Sequence, residues 1–395
     1  MGLLVHNEKI NRETAKELID ICPFGALFYD GELKISSACK MCKMCVKKGP
    51  EGAITFEEET KPVCNKDEWK GVAVFAEQRC GKIHPVSLEL VGKARELASV
   101  TNPPVFAVLI GSKVKAAAQK LLCYGVDKVY AYDDEAFGNF VISPYANAFT
   151  DFIEKIKPSS ILVGATSLGR SLAPKVAARV HAGLTADCTM LEMKENTDLV
   201  QIRPAFGGNI MAQIVTPNNR PQFCTVRYKI FSAPEKCEPN GEVINMPVTE
   251  KMLSGNTEVI KTVNKPEEID ISDAEIIVAV GRGVKSKDDL ALAESLANKL
   301  GAQLACTRPL IEAGWFDAKR QIGLSGRTVK PKLIITLGVS GSVQFAAGMQ
   351  NSDKIIAVNS DKNASIFKIA HYGFVGDLYE IVPKLLKRIE EAKNV

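Results

Sequence analysis

The chain has 395 residues, 46% of them hydrophobic and 24% charged, with a formal net charge of +4. That length exceeds one ordinary hydrophobic core and calls for roughly two or three domains, while so weak a charge gives no case for nucleic acid as a main partner. No apolar run approaches the roughly 20 residues that cross a bilayer, and the opening MGLLVHNEKINRE lacks the apolar core of a signal peptide, so the sequence reads as cytoplasmic with no membrane contact.

The first predicted element is a polar-capped helix over NRETAKELID, leading into Cys22-Pro23. ALFYDGELKIS then reads as a hairpin, with Asp30-Gly31 supplying a positive-φ turn. Residues 39 to 50, CKMCKMCVKKGP, follow. They resemble the C-x2-C-x2-C-x3-C-P iron–sulfur run of bacterial ferredoxins, with Gly49 where the last cysteine belongs. In two-cluster ferredoxins that last cysteine ligates the other cluster, so the partner of Cys39, Cys42 and Cys45 is an upstream Cys-Pro, and Cys22 fits. CPFGALFY, from Cys22, aligns with GPEGAITF, from Gly49, at an offset of 27 residues. The same shift carries the three clustered cysteines onto Arg12, Ala15 and Leu18. Positions 12, 15, 18 and 49 are thus the lost ligands of a first cluster, and Cys22, Cys39, Cys42 and Cys45 the complete set for one [4Fe–4S] cluster. A zinc knuckle is the rival reading, since four thiolates also suit tetrahedral zinc; the shared cysteine and the remote Cys-Pro favour iron–sulfur. Lys40, Lys43, Lys47 and Lys48 form either a solvated face or a surface that steers an acidic redox partner. The other seven of the eleven cysteines lie far apart and read as buried free thiols.

Beyond about residue 65, short apolar runs alternate with amphipathic stretches. GVAVFAE, VFAVLIG, KVYAYD and SILVGAT read as buried strands; SLELVGKARELA, KVKAAAQKLL and APKVAARVH have helical spacing. This alternation predicts an α/β fold with a doubly wound parallel sheet covered on both faces. Residues 202–227 read as extended segments with a turn at Pro217-Asn218-Asn219. Residues 232–268 lose apolar periodicity and read as a linker, extended and partly ordered against its neighbours. The predicted boundaries are an N-terminal domain over 1–65, an α/β domain over 66–250, a linker over 251–268 and a last domain over 269–395.

In that last domain EIIVAV (275–280) reads as a strand, Gly281-Arg282-Gly283 as a turn and KDDLALAESLANKLG as a helix. A Gly-rich turn at a helix start is an anion-binding arrangement in principle, though glycines that serve a tight turn alone are commoner. PKLIITLGVSGSVQFAAGM (331–349) runs from a strand into small residues that let a phosphate approach the backbone, with hydroxyls from Ser340 and Ser342. It is not a Walker loop, since no Gly-Lys-Ser/Thr follows. His84 and His181 lie beside helical segments and read as packing residues, and no grouping suggests nucleophilic catalysis.

Six stretches now stand in order: GRGVKSKDDLALAESLANKLGA, CTRPLIEAGW, QIGLSGRTVKPKL, GVSGSVQFAAGM, IIAVNSDKNASIF and HYGFVGDLYEIVPKLL. With GATSLGRSLAPKVAARVHAGLTADCT upstream, they resemble electron-transfer flavoprotein α subunits over roughly residues 70 to 395. The cysteine-bearing extension resembles the fused α subunits of flavin-based electron-bifurcating complexes, of the caffeoyl-CoA reductase or lactate dehydrogenase kind, with the length pointing to the former. The resemblance implies a small ferredoxin-like N-terminal domain, then the doubly wound domain and a C-terminal Rossmann-like FAD-binding domain. It implies that Arg282 and Thr307 touch FAD, that Arg308 lies beside the isoalloxazine, and that Ile322, Gly323, Leu324 and Ser325 run along the flavin with the Ser325 hydroxyl at N5. Ser340, Gly341, Ser342, Val343, Gln344 and Phe345 would wrap the pyrophosphate region and pyrimidine edge, and Asn359, Asp377 and Leu378 the adenosine end. Arg308 and Ser325 are the expected chemistry-tuning pair. A cation about 4 Å from a ring that gains negative charge contributes on the order of 4 kcal/mol at an effective dielectric near 20, or on the order of 100 mV for one electron. Two departures stand out: Phe345 replaces a frequent histidine, and Leu324-Ser325-Gly326 replaces the usual Gln-Thr-Gly.

The expected role is that of an electron-carrying subunit of an oxidoreductase complex. Its implied partners are a β subunit with a second FAD reduced by NADH, an acyl-CoA dehydrogenase-like or other flavin dehydrogenase, and soluble ferredoxin. The alternatives are a non-bifurcating electron-transfer flavoprotein and a nucleotide-binding regulatory subunit with a zinc knuckle.

Overall fold

The computed structural model describes residues 2–57, 64–205, 210–263 and 270–393. Positions 206–209 of the predicted extended segments, and 264–268 of the predicted linker with the boundary at 269, lie outside these. By internal contacts the chain divides into a unit of residues 1–63 and a unit of residues 64–395.

In the small unit, β1 (Gly2–Val5) is followed by α1 (Arg12–Ile21), β2 (Leu27–Tyr29), β3 (Leu33–Ile35), α2 (Met44–Lys48) and β4 (Ile54–Glu57). The Asn11 side chain caps α1 by accepting from the backbone of Glu13 and Thr14, while Thr14 Oγ1 accepts from the Asn11 N–H. This reciprocal arrangement satisfies N–H groups that helix geometry leaves orphaned. β2 and β3 pair as the predicted hairpin, with Tyr29 opposite Leu33, so the loop has one residue more than a two-residue turn. Gly31 alone takes positive φ (+75°); Asp30 stays in the ordinary region because its N–H closes onto the Glu32 carbonyl instead.

The 27-residue repeat is visible in this unit. Gly25 and Gly52 share positive φ, and Ala26, Ala53, Leu27 and Ile54 are all buried. At the lost ligand positions Ala15 and Leu18 are buried too, and a Cβ on Gly49 would come within 2.5 Å of Leu18 Cδ2. Apolar packing thus fills the region around positions 15, 18 and 49.

The large unit is built on two parallel sheets, of seven and five strands. The first half runs β5 (Val72–Phe75), a short hairpin of β6 (Gln78–Arg79) and β7 (Lys82–Ile83), α3 (Pro85–Ala98), β8 (Val105–Gly111), α4 (Lys115–Leu122), β9 (Lys128–Asp133), α5 (Ile142–Ile156), β10 (Ser160–Gly164) and α6 (Ser167–Arg179). Then come β11 (Leu184–Cys188), β12 (Met190–Met193), β13 (Leu199–Ala205), β14 (Ile210–Ile214), β15 (Gln222–Val226), β16 (Glu242–Asn245) and α7 (Glu250–Leu253). Seven strands form one parallel sheet in the order β11-β15-β10-β5-β8-β9-β16. Alternate residues face opposite ways, as a strand's period of two requires. Val72 and Val74 join the core under α3 and α4, and Ala73 and Phe75 the core under α5 and α6. β12, β13 and β14 make a separate antiparallel sheet.

The stretch 232–263 carries two ordered elements. β16 pairs in parallel with β9, and α7 contributes Met252 to the core beside α5. A single edge strand has too few apolar residues to show a period.

The second half runs β17 (Ile276–Val280), α8 (Leu290–Leu300), β18 (Gln303–Cys306), α9 (Arg308–Glu312), β19 (Leu333–Leu337), α10 (Val343–Ala346), β20 (Ile355–Asn359), β21 (Tyr372–Val375) and α11 (Leu378–Lys393). Its five strands are parallel, in the order β18-β17-β19-β20-β21. The order reverses between β17 and β19, and in open α/β sheets that switch point, outside the carboxyl ends of the strands, is where ligands sit.

The buried-thiol reading holds for Cys188, Cys224 and Cys306 only. Cys80 and Cys237 are exposed and Cys64 and Cys123 half-buried, because they lie in loops and at element ends.

Candidate functional site

At the carboxyl edge of the five-stranded sheet the chain leaves each strand through one of the predicted segments. β17 ends into Gly281–Gly283, β18 into Thr307 and Arg308, β19 into residues 338–345, β20 at Asn359 and β21 into Asp377 and Leu378. The fold therefore brings these positions to one edge, although they span about a hundred residues of sequence.

The two glycine turns pack against each other. The N–H groups of Gly281 and Gly283 donate to Leu337 O (2.9 Å) and Gly338 O (3.0 Å), and a Cβ on Gly283 would lie 2.5 Å from Gly338 Cα. Of the two readings of this turn, the commoner one, glycines that serve a tight turn, is the one observed: both N–H groups are engaged, and α8 begins only at Leu290. The glycines serve close approach at the switch point. Arg282 is exposed at the tip of its turn.

The loop after β19 is held from below. Gly341 has φ +81°, and a Cβ there would meet the backbone nitrogen of Ile366 at 2.2 Å. Ile366 N–H donates to Ser340 O at 3.0 Å. Asn359, buried, donates its side-chain amide to Val339 O at 2.8 Å and accepts from the Asp361 N–H. Its amide thus supports the loop from β20. Asp377 does similar work for α11, accepting from the Tyr379 N–H at 2.9 Å, and Leu378 is buried in the core beneath that helix. Ser340, Ser342, Val343 and Gln344 are exposed. Phe345 is not: its ring is buried with Ile322, Val339 and Ile366.

Arg308 projects from the first turn of α9, two-thirds exposed, with Nε 2.9 Å from Glu312 Oε1. Both partners are solvated, so the pair is weak and the guanidinium is available to a ligand. Thr307 precedes it as N-cap residue, its N–H donating to Val280 O. The Ile322–Arg327 loop is closed by Gly323 N–H to Arg327 O (3.1 Å) and tied to β18 by Ile322 N–H to Cys306 O (3.0 Å). Gly323 takes φ +137°, with Gln344 O 2.9 Å from where a Cβ would be.

Two residues of this site escaped sequence reasoning. Gln321, buried, donates its amide to the Ser325 hydroxyl at 2.8 Å. An amide is therefore beside this hydroxyl even though Leu324 supplies none. Arg227, at the end of β15, donates to the Leu324 carbonyl at 2.6 Å and pairs with Asp187 at 3.2 Å. Only a fold places residue 227 beside residue 324. A cleft of about 1860 Å³, its open mouth included, lies alongside; its walls include Glu77, Arg79, Thr166, Arg170, Arg227 and residues 326–328. His84 serves as the N-cap of α3, accepting from the Val86 N–H, and packs edge-on against Tyr228.

In the small unit, Cys22, Cys39, Cys42 and Cys45 line one recess of about 290 Å³ with Leu3, Phe24, Leu27, Lys40 and Lys43. Positive φ at Met41 and Lys43 curls the backbone around it. The Ala26 N–H points at Cys22 Sγ (3.3 Å) and the Met41 N–H at Cys39 Sγ (3.4 Å), donors suited to a thiolate. Burial pushes the Cys45 thiol up, and the neighbouring Cys39 and Cys42 add to this, so an iron or other cation is what would let these thiols ionise together. Among the described residues no three His, Cys, Asp or Glu side chains converge on one metal ion. Four thiols around one recess are a donor set that either tetrahedral zinc or an iron–sulfur cluster takes.

Residues 72–251 match the electron transfer flavoprotein domain, and residues 270–350 the electron transfer flavoprotein FAD-binding domain. The chain is 61% identical over 395 residues to the lactate dehydrogenase (NAD(+),ferredoxin) subunit LctC of Acetobacterium woodii, covering all of this chain and 94% of that one. It is 44% identical over 338 residues to the electron transfer flavoprotein subunit alpha of Clostridium acetobutylicum, covering 84% of this chain and 100% of that one. With the acryloyl-CoA reductase electron transfer subunit beta of Anaerotignum propionicum it shares 39% identity over 359 residues, covering 83% and 98% of the two chains. No helix among the described residues is long and apolar enough to cross a membrane.

Proposed function

The chain belongs to the electron transfer flavoprotein α-subunit family and carries its FAD-binding domain, and from that premise we propose that it passes single electrons within an NAD- and ferredoxin-linked electron-bifurcating complex. Bound FAD and a [4Fe–4S] cluster supply the one-electron chemistry. The chain's own residues hold and tune them. Ser340, Ser342 and Gln344, exposed over the carboxyl edge of the sheet, take the phosphate-bearing part of FAD. Arg282 and Thr307 flank it, and Asn359 and Asp377 brace the loops at the adenosine end. The loop from Ile322 to Ser325 runs along the ring, with the Ser325 hydroxyl oriented by Gln321. Arg308 supplies a cation that favours added negative charge. Cys22, Cys39, Cys42 and Cys45 hold the cluster, as a relay or docking module on the ferredoxin side.

The observation that carries this reading is the recess shared by four cysteines on a chain that also matches the full length of a flavoprotein α-subunit relative. The 44%-identical relative leaves about a sixth of this chain uncovered, which is the size of the 63-residue small unit. The ferredoxin-linked relative covers the whole chain. That relative's name favours a 2-hydroxy acid as the carbon substrate of the assembled complex; the acryloyl-CoA reductase relative supports acyl-CoA, of which caffeoyl-CoA is one, as the second reading. The partners are a β subunit that carries a second FAD and exchanges electrons with NADH, soluble ferredoxin, and a flavin dehydrogenase.

Reconstitution with these partners tests the proposal. Lactate-dependent NAD+ reduction that requires reduced ferredoxin supports the first reading. Caffeoyl-CoA-dependent NADH oxidation that requires oxidised ferredoxin supports the second. Electron transfer with no dependence on ferredoxin in either assay makes this a non-bifurcating member of the family.

A further inference from the structure

We propose that Cys123 and Cys237 form an oxidisable dithiol, a disulfide-forming pair separate from the four N-terminal cysteines. Cys123 is the C-cap residue of α4, and Cys237 lies in the irregular stretch leading into the edge strand β16. The Cys237 N–H donates to the Cys123 carbonyl at 2.8 Å, and Cys237 Sγ lies 3.5 Å from that same oxygen. With standard backbone dimensions, one N–H···O=C bond of this length holds the two Cα atoms within roughly 6.7 Å of each other, inside the upper limit of about 6.8 Å that a disulfide spans. Cys123 Sγ now rests against the Gln119 carbonyl at 3.7 Å, so side-chain rotation is what closure requires.

Exposure separates this pair from the molecule's other adjacent cysteines. Cys188 and Cys224 also touch, but both are buried in the sheet core, where reagents do not reach and burial disfavours the thiolate. Cys237 is exposed and Cys123 half-buried.

The co-reactant is the disulfide of a small thiol. The Cys237 thiolate attacks one of its sulfurs and releases the first small thiol, leaving a mixed disulfide. The Cys123 thiolate then attacks the Cys237 sulfur and releases the second. Two cysteine thiols are oxidised to one disulfide, one small disulfide is reduced to two thiols, and the two cysteine protons pass to the leaving thiolates. The bond fastens residues 232–241, on their way from β15 to β16, to the helix that packs against β9. Closing so long a loop restricts the unfolded chain more than the folded one.

The test treats the full chain with oxidised glutathione, alkylates remaining thiols and identifies linked peptides by mass spectrometry. The expected result is a Cys123–Cys237 linked peptide in most molecules, reversed by dithiothreitol. A thermal midpoint that rises on oxidation in the unaltered chain, and rises less in Cys123→Ser and Cys237→Ser, is expected alongside it. Recovery of Cys237 as its glutathione adduct with Cys123 alkylated, or of either residue linked to a different cysteine, overturns the proposal.

Discussion

Arg227 donates to the carbonyl oxygen of Leu324 at 2.6 Å, joining the end of β15 in the seven-stranded sheet to the loop that carries Ser325. Its side chain is mostly buried and its second partner is Asp187, which also pairs with Arg170 at 2.9 Å. A charged donor on a backbone carbonyl is worth about 1.5–3 kcal/mol. Arg227→Ala is therefore expected to weaken FAD binding by about tenfold or more, measured as the dissociation constant from flavin fluorescence. Arg227→Lys, which keeps the charge but loses the fork, should fall between.

Gln321 and Ser325 act as one unit. Gln321→Leu removes the donor that orients the Ser325 hydroxyl, and Ser325→Ala removes the hydroxyl itself. Each should move the one-electron flavin potential by about 40 mV, the equivalent of one hydrogen bond of about 1 kcal/mol. The double variant should shift little further than either single one, since neighbours in one network are not additive. Additive shifts in a spectroelectrochemical titration would show the two side chains to be independent.

Glycines at positive φ separate tight loops from open ones. Gly341→Ala places a Cβ 2.2 Å from the Ile366 backbone nitrogen, whereas Gly301 has nothing within 4 Å. The first should cost at least about 2 kcal/mol and abolish FAD binding; the second should cost only about 1 kcal/mol, the strain of a left-handed residue alone. Urea unfolding of the two variants gives the comparison.

Glu89 gives the large unit a pH dependence. Burial raises its carboxyl to about 7, against the N–H of Lys229 and the charges of Lys229 and Lys330, which lower it, and Asp273, which raises it. Between its ordinary value near 4.5 and 7 the folded chain binds more protons than the unfolded one, so its contribution to stability falls as pH rises and is fully lost above 7. The difference is worth about 3 kcal/mol. Glu89→Gln should gain stability relative to the unaltered chain between pH 5 and 7.5, and unfolding free energies at both pH values check the sign.

The strands and most helices were legible because buried parallel strands are short continuous apolar runs, as in VFAVLIG and SILVGAT. That Cys22 shares a recess with Cys39, Cys42 and Cys45 was legible for a different reason: the 27-residue repeat has an offset that can be counted. What stayed hidden depends on contacts between distant residues. Arg227 carries no motif and matters only because β15 ends beside residue 324. Gln321 looked like a flank of Leu324-Ser325-Gly326 until the loop folded its amide back onto the hydroxyl. β16 was not legible as a strand because an edge strand is short and half exposed. Gly281 and Gly283 by sequence suited either an anion or, more commonly, a tight turn, and only the fold shows their N–H groups taken by the carbonyls of Leu337 and Gly338.

The most direct measurement is the metal and flavin content of anaerobically purified protein, with and without Cys22→Ser. Four irons with matching sulfide and one FAD per chain are expected in the unaltered protein, with broad absorbance near 400 nm that reduction bleaches. Cys22→Ser should lose the iron and keep the FAD. Zinc in place of iron, or an iron content that Cys22→Ser leaves unchanged, would contradict a cluster held by Cys22, Cys39, Cys42 and Cys45.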